Sequence, residues 1–134
     1  MKNKEKFISI ILPIKNEARF IAETLKSIIN QNISKDKFEI IIADGRSTDN
    51  TLKIINEIIM NNPDTNITVI NNPEEYVPTG FNRALSISKG DMILRIDGHC
   101  KINAGYIESC LDIINSTDYD CVGGTIENIS SGFI

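Results

Sequence analysis

Several things are missing from this chain. No run approaches the roughly 20 apolar residues that a membrane span needs. Positive charge is not in excess: 14 basic residues face 18 acidic ones, a net charge of −4, which excludes the broad electrostatic footprint of a nucleic-acid binder but not local binding of a nucleotide. The cysteines, Cys100, Cys110 and Cys121, are odd in number and form no CxxC pair. That excludes a disulfide framework and a zinc knuckle, and points to buried or inert thiols in a reducing, cytoplasmic compartment. A signal-peptide cleavage site is lacking too. The apolar run Phe7 to Ile14 is broken by Ser9 and Pro13 and followed by Lys15, Glu17 and Arg19, so it reads as a first buried strand. Repeats, low-complexity tracts and linkers are absent.

What is present is ordinary for one globular domain spanning residues 1–134: 41% hydrophobic and 24% charged residues, enough to bury a core without staples. Apolar runs of strand length alternate with segments of helical period, the pattern of βαβ units and a mainly parallel sheet. Strands are expected at Phe7–Leu12, Phe38–Ala43, Ile67–Asn71, Met92–Ile96 and Asp120–Ile126. A first helix carries Ile21, Leu25, Ile28 and Ile29 on one face, with Asn16 placed to cap it. A second, capped by Ser47 or Thr48, turns Leu52, Ile55 and Ile59 inward. A third runs from about Thr79, after Pro78, to Gly90. A fourth spans about Asn103 to Asn115 and buries Ile107, Leu111 and Ile114.

Two segments carry the chemistry, Phe38 to Thr51 (FEIIIADGRSTDNT) and Gly90 to Cys100 (GDMILRIDGHC). Each is an apolar strand that ends abruptly in acidic and small polar residues. In an open α/β sheet the ligand crevice lies beyond the carboxyl ends of the strands, so Asp44, Asp97 and His99 should arrive at one rim. Two acids and a histidine there suggest a metal-assisted nucleotide site. Local structure also accounts for some of them: Asp44 or Ser47 can cap the following helix, and Glu17 sits at a helix start, where an acid meets the positive end of the dipole. Arg95, inside a strand beside Asp97, is placed to pair with an acid.

Four motifs in order, ISIILPIKNE (Ile8 to Glu17), ADGRSTDNT (Ala43 to Thr51), GFNRALSISKGDMIL (Gly80 to Leu94) and Asp97-Gly98-His99, resemble the N-terminal half of the family-2 glycosyltransferases. The likeness runs from about Ile8 to Gly124. The variants ADGRSTDNT, NPEEYVPTGFNRA and RIDGH look most similar to the succinoglycan-biosynthesis type, a branch that builds exopolysaccharide. This resemblance implies a GT-A fold, a Rossmann-like, mainly parallel sheet flanked by helices, here truncated as the N-terminal part of a longer protein. It implies transfer of a sugar from a nucleotide-diphosphate sugar to a glycan or lipid-linked acceptor, inverting and metal-dependent, with membrane association only through segments beyond residue 134. Nucleotide contacts then fall to Pro13, Lys15, Asn16, Glu17, Asp44 and Asp97, and metal contacts to Asp97 and His99. Mn²⁺ or Mg²⁺ would neutralise charge on the leaving diphosphate, and imidazole in the second position favours Mn²⁺.

This sequence departs from the family in having Gly45 where a second acid is common and Lys15 where an aromatic residue often stands. No recognisable base motif follows His99. Glu108, Asp112, Asp118, Asp120 and Glu127 are the remaining acids, and the catalytic base is expected beyond residue 134. A nucleotide-binding module without turnover is the alternative. A nucleotidyltransferase would need a Gly-rich loop that LPIKNEARF lacks, and a phosphoacceptor receiver would need an acidic pair after the first strand.

Overall fold

The structure is a computed structural model and describes residues 5–128. Four strands, β1 (Ile8–Ile14), β2 (Phe38–Asp44), β3 (Ile67–Asn71) and β4 (Met92–Arg95), form one parallel sheet in the order β3-β2-β1-β4. The two longest apolar runs take the centre, where all seven residues of β1 and all seven of β2 are buried. Strands covered on both faces read as continuous rather than alternating hydrophobic sequence, which is what ISIILPI and FEIIIAD show. The edge strands β3 and β4 are only half-buried.

Alternation divides the core between two faces. Ile8, Ile10, Leu12 and Ile14 join Phe38, Ile40 and Ile42 beneath α1 (Ile21–Ile29), α2 (Thr51–Asn61) and Ile107 of α4 (Tyr106–Ser116). Ile11, Ile41 and Ala43 meet Ala84 of α3 (Val77–Ile87) on the other face. Pro13 breaks no ladder. The Ile96 N–H donates to the Ile11 carbonyl, so odd positions of β1 face β4, and β4 has left the sheet before Pro13 is reached.

Helix starts differ from the sequence expectation for identifiable reasons. Asn16 does not cap α1; a turn in which the Glu17 carbonyl accepts the N–H groups of Phe20 and Ile21 leads into it. Neither Ser47 nor Thr48 caps α2, whose N-cap is Asn50, because both are engaged in a loop contact described below. On that helix Leu52 is exposed, Thr51, Ile55 and Ile58 are buried, and Ile59 packs partly buried against the core. Pro78 lies inside the first turn of α3, where its missing N–H has no intrahelical partner to lose. Gly105, left-handed at φ 81°, delays α4 to Tyr106. Cys110 is buried there with Ile107.

The expected fifth strand at Asp120–Ile126 does not form. Residues 121–128 belong to no regular element, and a strand exists only when an edge hydrogen-bonds to it. Gly123 and Gly124 weaken extended structure further, and Gly124 lies flat against the Tyr106 ring, where a Cβ would fall 2.6 Å from Cε2.

A polar knot sits inside the apolar centre. Glu39 is 5% exposed, and its Oε1 accepts the Ser9 hydroxyl at 2.6 Å and the Lys89 N–H at 2.8 Å, while Ser9 Oγ accepts the Gly90 N–H at 2.8 Å. These bonds hold the entry to β4 against β1. A Cβ at Gly90 would lie 2.5 Å from the Ser9 nitrogen and 2.7 Å from the Met92 carbonyl, so backbone must move to admit it. Gly90→Ala is therefore expected to destabilise the protein by about 1–3 kcal/mol, as overpacking does. Urea unfolding checks it, and an unchanged midpoint would show that the close approach is not needed.

Candidate functional site

Because β1 lies between β2 and β4, the turn after β1 stands between the residues that end its two neighbours. Asp44 closes β2 opposite Ile14, and Asp97 follows β4 by two residues. Both acids are thus at the carboxyl rim, with Lys15, Asn16 and Glu17 between them.

The β1 and β2 loops are sewn together. Asn16 has a left-handed backbone, φ 51°, which Asn tolerates better than most residues. Its N–H donates to Ser47 Oγ at 2.8 Å, and its Oδ1 accepts the Thr48 N–H at 2.8 Å. The Glu17 N–H donates to Thr51 Oγ1 at 2.9 Å, and the Ala18 N–H to Asp49 Oδ2 at 3.3 Å. The Thr51 hydroxyl also bonds Asp49, and this contact above all holds the Asp49 carboxyl below its ordinary range. Asp44, 5% exposed, accepts the Ser47 hydroxyl at 2.6 Å and the Ser47 N–H at 3.1 Å.

The loop after β3 completes this wall. The Asn72 N–H donates to the Asp44 carbonyl at 2.8 Å, and the Lys15 ammonium pairs with Glu75 at 2.8 Å. That hydrogen bond, with the lysine charge, lowers the Glu75 carboxyl. Gly45 fits beneath, with a Cβ position only 3.1 Å from the Glu75 carbonyl. Any second acid here would have to displace backbone.

Across the turn, Asp97 to Cys100 form a tight bend closed by the Cys100 N–H donating to the Asp97 carbonyl at 3.0 Å. The Gly98 carbonyl accepts the Thr24 hydroxyl of α1 at 3.0 Å. Gly98 lies so close to β1 that a Cβ would meet Ile14 Cγ2 at 2.8 Å and Glu17 Cγ at 2.9 Å. Asp97 Oδ1 accepts Arg95 Nε at 3.1 Å and Nη2 at 3.0 Å, which answers what Arg95 pairs with. His99 Nδ1 lies 3.1 Å from Glu17 Oε1. A carboxylate only accepts, so the facing nitrogen carries the proton between them.

Ligand atoms of Asp97, His99 and Cys100 lie within 4.8 Å of one another. This donor set fits a divalent ion: a carboxylate oxygen suits hard ions, and Mn²⁺ also tolerates imidazole. Sequence reasoning brought Asp97 and His99 here but read Cys100 as an inert thiol; its place immediately after His99 on the same bend was the available signal. Burial, and then the Asp97 charge, raise the Cys100 thiol above its usual range. The Asn16 clasp and Asp49 were also missed, since both depend on two loops far apart in sequence.

Three of the later acids are elsewhere. Glu108 and Asp112 line a cleft of about 250 Å³ with Lys6 and Ile8 at the amino ends of the strands, and Asp120 lines a neighbouring one of about 390 Å³ with Asp91 and Met92. Among the described residues, no helix is long and apolar enough to cross a membrane.

The family model for glycosyl transferase family 2 matches residues 9–133, spanning every segment that builds this rim. The chain belongs to that family. It is 30% identical over 129 residues to a dolichyl N-acetyl-α-D-glucosaminyl phosphate 3-β-D-2,3-diacetamido-2,3-dideoxy-β-D-glucuronosyltransferase of Methanococcus voltae, covering 92% of this chain and 40% of the relative. A mannosyltransferase from Pyrobaculum calidifontis, solved with GDP-Man and Mn²⁺, superposes with a TM-score of 0.77 at 25% identity, over 82% of this chain and 32% of that one. TarS of S. aureus, solved with UDP, gives 0.71 at 28% identity with the same coverage of each chain. The parallel sheet flanked by helices is thus the GT-A fold of these transferases. This chain spans less than half the length of the relatives named here.

Proposed function

We propose that this chain is the donor-binding part of a glycosyltransferase that moves a sugar from a nucleotide-diphosphate sugar to a glycan or lipid-linked acceptor during polysaccharide synthesis on the cytoplasmic side of a membrane. One observation carries the reading: Asp44 and the Asp97-Gly98-His99 bend flank the β1 turn at a single carboxyl rim. The motif variants favour the succinoglycan type of transferase within family 2.

In this reading Pro13, Lys15, Asn16, Glu17 and Asp44 form the nucleotide side. The buried Asp44 carboxylate stands at the foot of the ribose and base, already oriented by Ser47. Asp97 and His99 form the diphosphate side and hold Mn²⁺ or Mg²⁺, which when bound neutralises charge on the leaving phosphate oxygens. Glu17 holds the His99 ring through Nδ1. Gly45, pressed under Glu75, leaves the base edge without a second acid, so selectivity between bases rests on other contacts. Inversion requires a carboxylate across the sugar to take the acceptor proton, and we expect that base beyond residue 134; in support, Glu108, Asp112 and Asp120 line clefts at the other end of the sheet.

Thermal shifts with UDP, GDP, CMP and their sugars, with and without Mn²⁺, test the nucleotide site. At least one diphosphate with Mn²⁺ is expected to stabilise the protein by about 2.7 kcal/mol at 100 times its Kd. Melting curves unmoved by every nucleotide would remove the reading.

A further inference from the structure

The bend that carries Asp97 and His99 holds a third donor of a different chemical kind. Cys100 is half-buried against the main core, and its sulfur is grouped with the Asp97 carboxylate and the His99 imidazole within 4.8 Å. Three features fix these residues on one frame. The Cys100 N–H closes the bend onto the Asp97 carbonyl, Thr24 holds the Gly98 carbonyl to α1, and Glu17 holds the imidazole through Nδ1. A tetrahedral Zn²⁺ with bonds of about 2.0–2.3 Å sets its donors about 3.3–3.8 Å apart, so closing this group onto an ion takes side-chain movement on the order of one ångström.

We propose that Cys100 supplies a thiolate to this site, so that Asp97, His99 and Cys100 bind thiophilic divalent ions of the Zn²⁺ class in preference to Mn²⁺. Oxygen-rich sites suit Mg²⁺ and Mn²⁺; a thiolate, an imidazole and one carboxylate suit Zn²⁺, with a fourth position left open. The general order of divalent affinities also runs from Mn²⁺ up to Zn²⁺. Cys100 enters the site as a thiol: its S–H bond breaks, the sulfur–metal bond forms, and the proton leaves to solvent. Zn²⁺ held this way occupies the position that the proposed transferase needs for its diphosphate-bound ion, and acts there as a competitor. The inference rests on the reading of Asp97 and His99 as cation-facing residues.

The test uses the reduced 134-residue chain. Cd²⁺ titration is expected to raise an ultraviolet thiolate-to-metal absorption band that saturates at one ion per chain. The band should persist in Cys121→Ser and vanish in Cys100→Ser and Cys100→Ala, with circular dichroism confirming that each is folded. Competition against a chromophoric chelator should show Zn²⁺ affinity reduced about 100-fold in the Cys100 variants, at least what loss of an outer-shell partner costs, with Mn²⁺ affinity changed less than about threefold. A band that survives both Cys100 substitutions, or equal Zn²⁺ affinity in folded variants and wild type, overturns the proposal. Mn²⁺-linked UDP binding measured in parallel separates the two readings. If it is present while the Cd²⁺ band is absent, only the thiolate donor is wrong. If the band is present while Mn²⁺-linked binding of UDP, GDP and CMP is absent alike, the thiophilic site stands and the transferase reading falls.

Discussion

Asp97→Ala is expected to abolish the strengthening of nucleoside diphosphate binding by Mn²⁺, a loss of about 10–100-fold or more in affinity with metal present, while leaving the fold intact. The two halves of this expectation have different physical origins. Asp97 is 39% exposed at its side chain, and its ion pair with Arg95 joins two partly exposed groups. Such pairs contribute about 0–1 kcal/mol to stability, so the melting curve of the apo protein should barely move. The same carboxylate is the one hard oxygen donor of the Asp97, His99 and Cys100 group, and without it the remaining nitrogen and sulfur suit Mn²⁺ poorly. Calorimetry with Mn²⁺ and with chelator gives the answer. Equal affinity in the two conditions for the unaltered protein would count decisively against a metal role at this bend.

The second large effect is kinetic. The 134-residue chain is expected to bind donor nucleotide yet transfer sugar at a rate lower by about 10²–10⁴-fold than a version extended to the length of its relatives, roughly 3–5 kcal/mol of barrier. Activation of the leaving group alone leaves the acceptor hydroxyl a weak nucleophile, and three of the acids that follow His99 do not remedy this: Glu108, Asp112 and Asp120 line clefts at the amino ends of the strands. Absence of an acceptor surface would add the loss of positioning. A radiolabelled-donor assay on both lengths decides the matter. Robust transfer by the shorter chain would show that the base lies within it.

Legibility in the sequence followed the range of the interactions. Strands β1 to β4 were readable because their apolar runs are local, and the shared rim followed from the rule for open parallel sheets. Asp120–Ile126 misled because valine and isoleucine signal strand propensity, whereas a strand also needs a partner edge. Glu39 illustrates the converse: in FEIII it looks like an outward polar residue, yet it is buried, satisfied by Ser9 and by a backbone N–H 50 residues away. Asn16 was identified as a capping residue, and its side chain does accept backbone N–H groups at the head of a helical segment, but at the neighbouring crossover. Side-chain chemistry was legible there; the partner was not. Cys100 was obscured for another reason, since its one signal in the sequence, adjacency to His99, does not tell which way the sulfur faces.

The amide of Asn16 has a thermodynamic consequence for anything that enters the rim. Its single oxygen gathers donors from the loop after β2, so two crossover loops are fixed by folding itself. Ordering backbone costs on the order of 1–2 kcal/mol per residue at 25 °C, and a ligand arriving here meets walls for which that entropy has already been lost. Association should then be fast and accompanied by little loss of conformational entropy, and cutting the clasp should show itself as slower capture by a floppier mouth rather than as missing contacts.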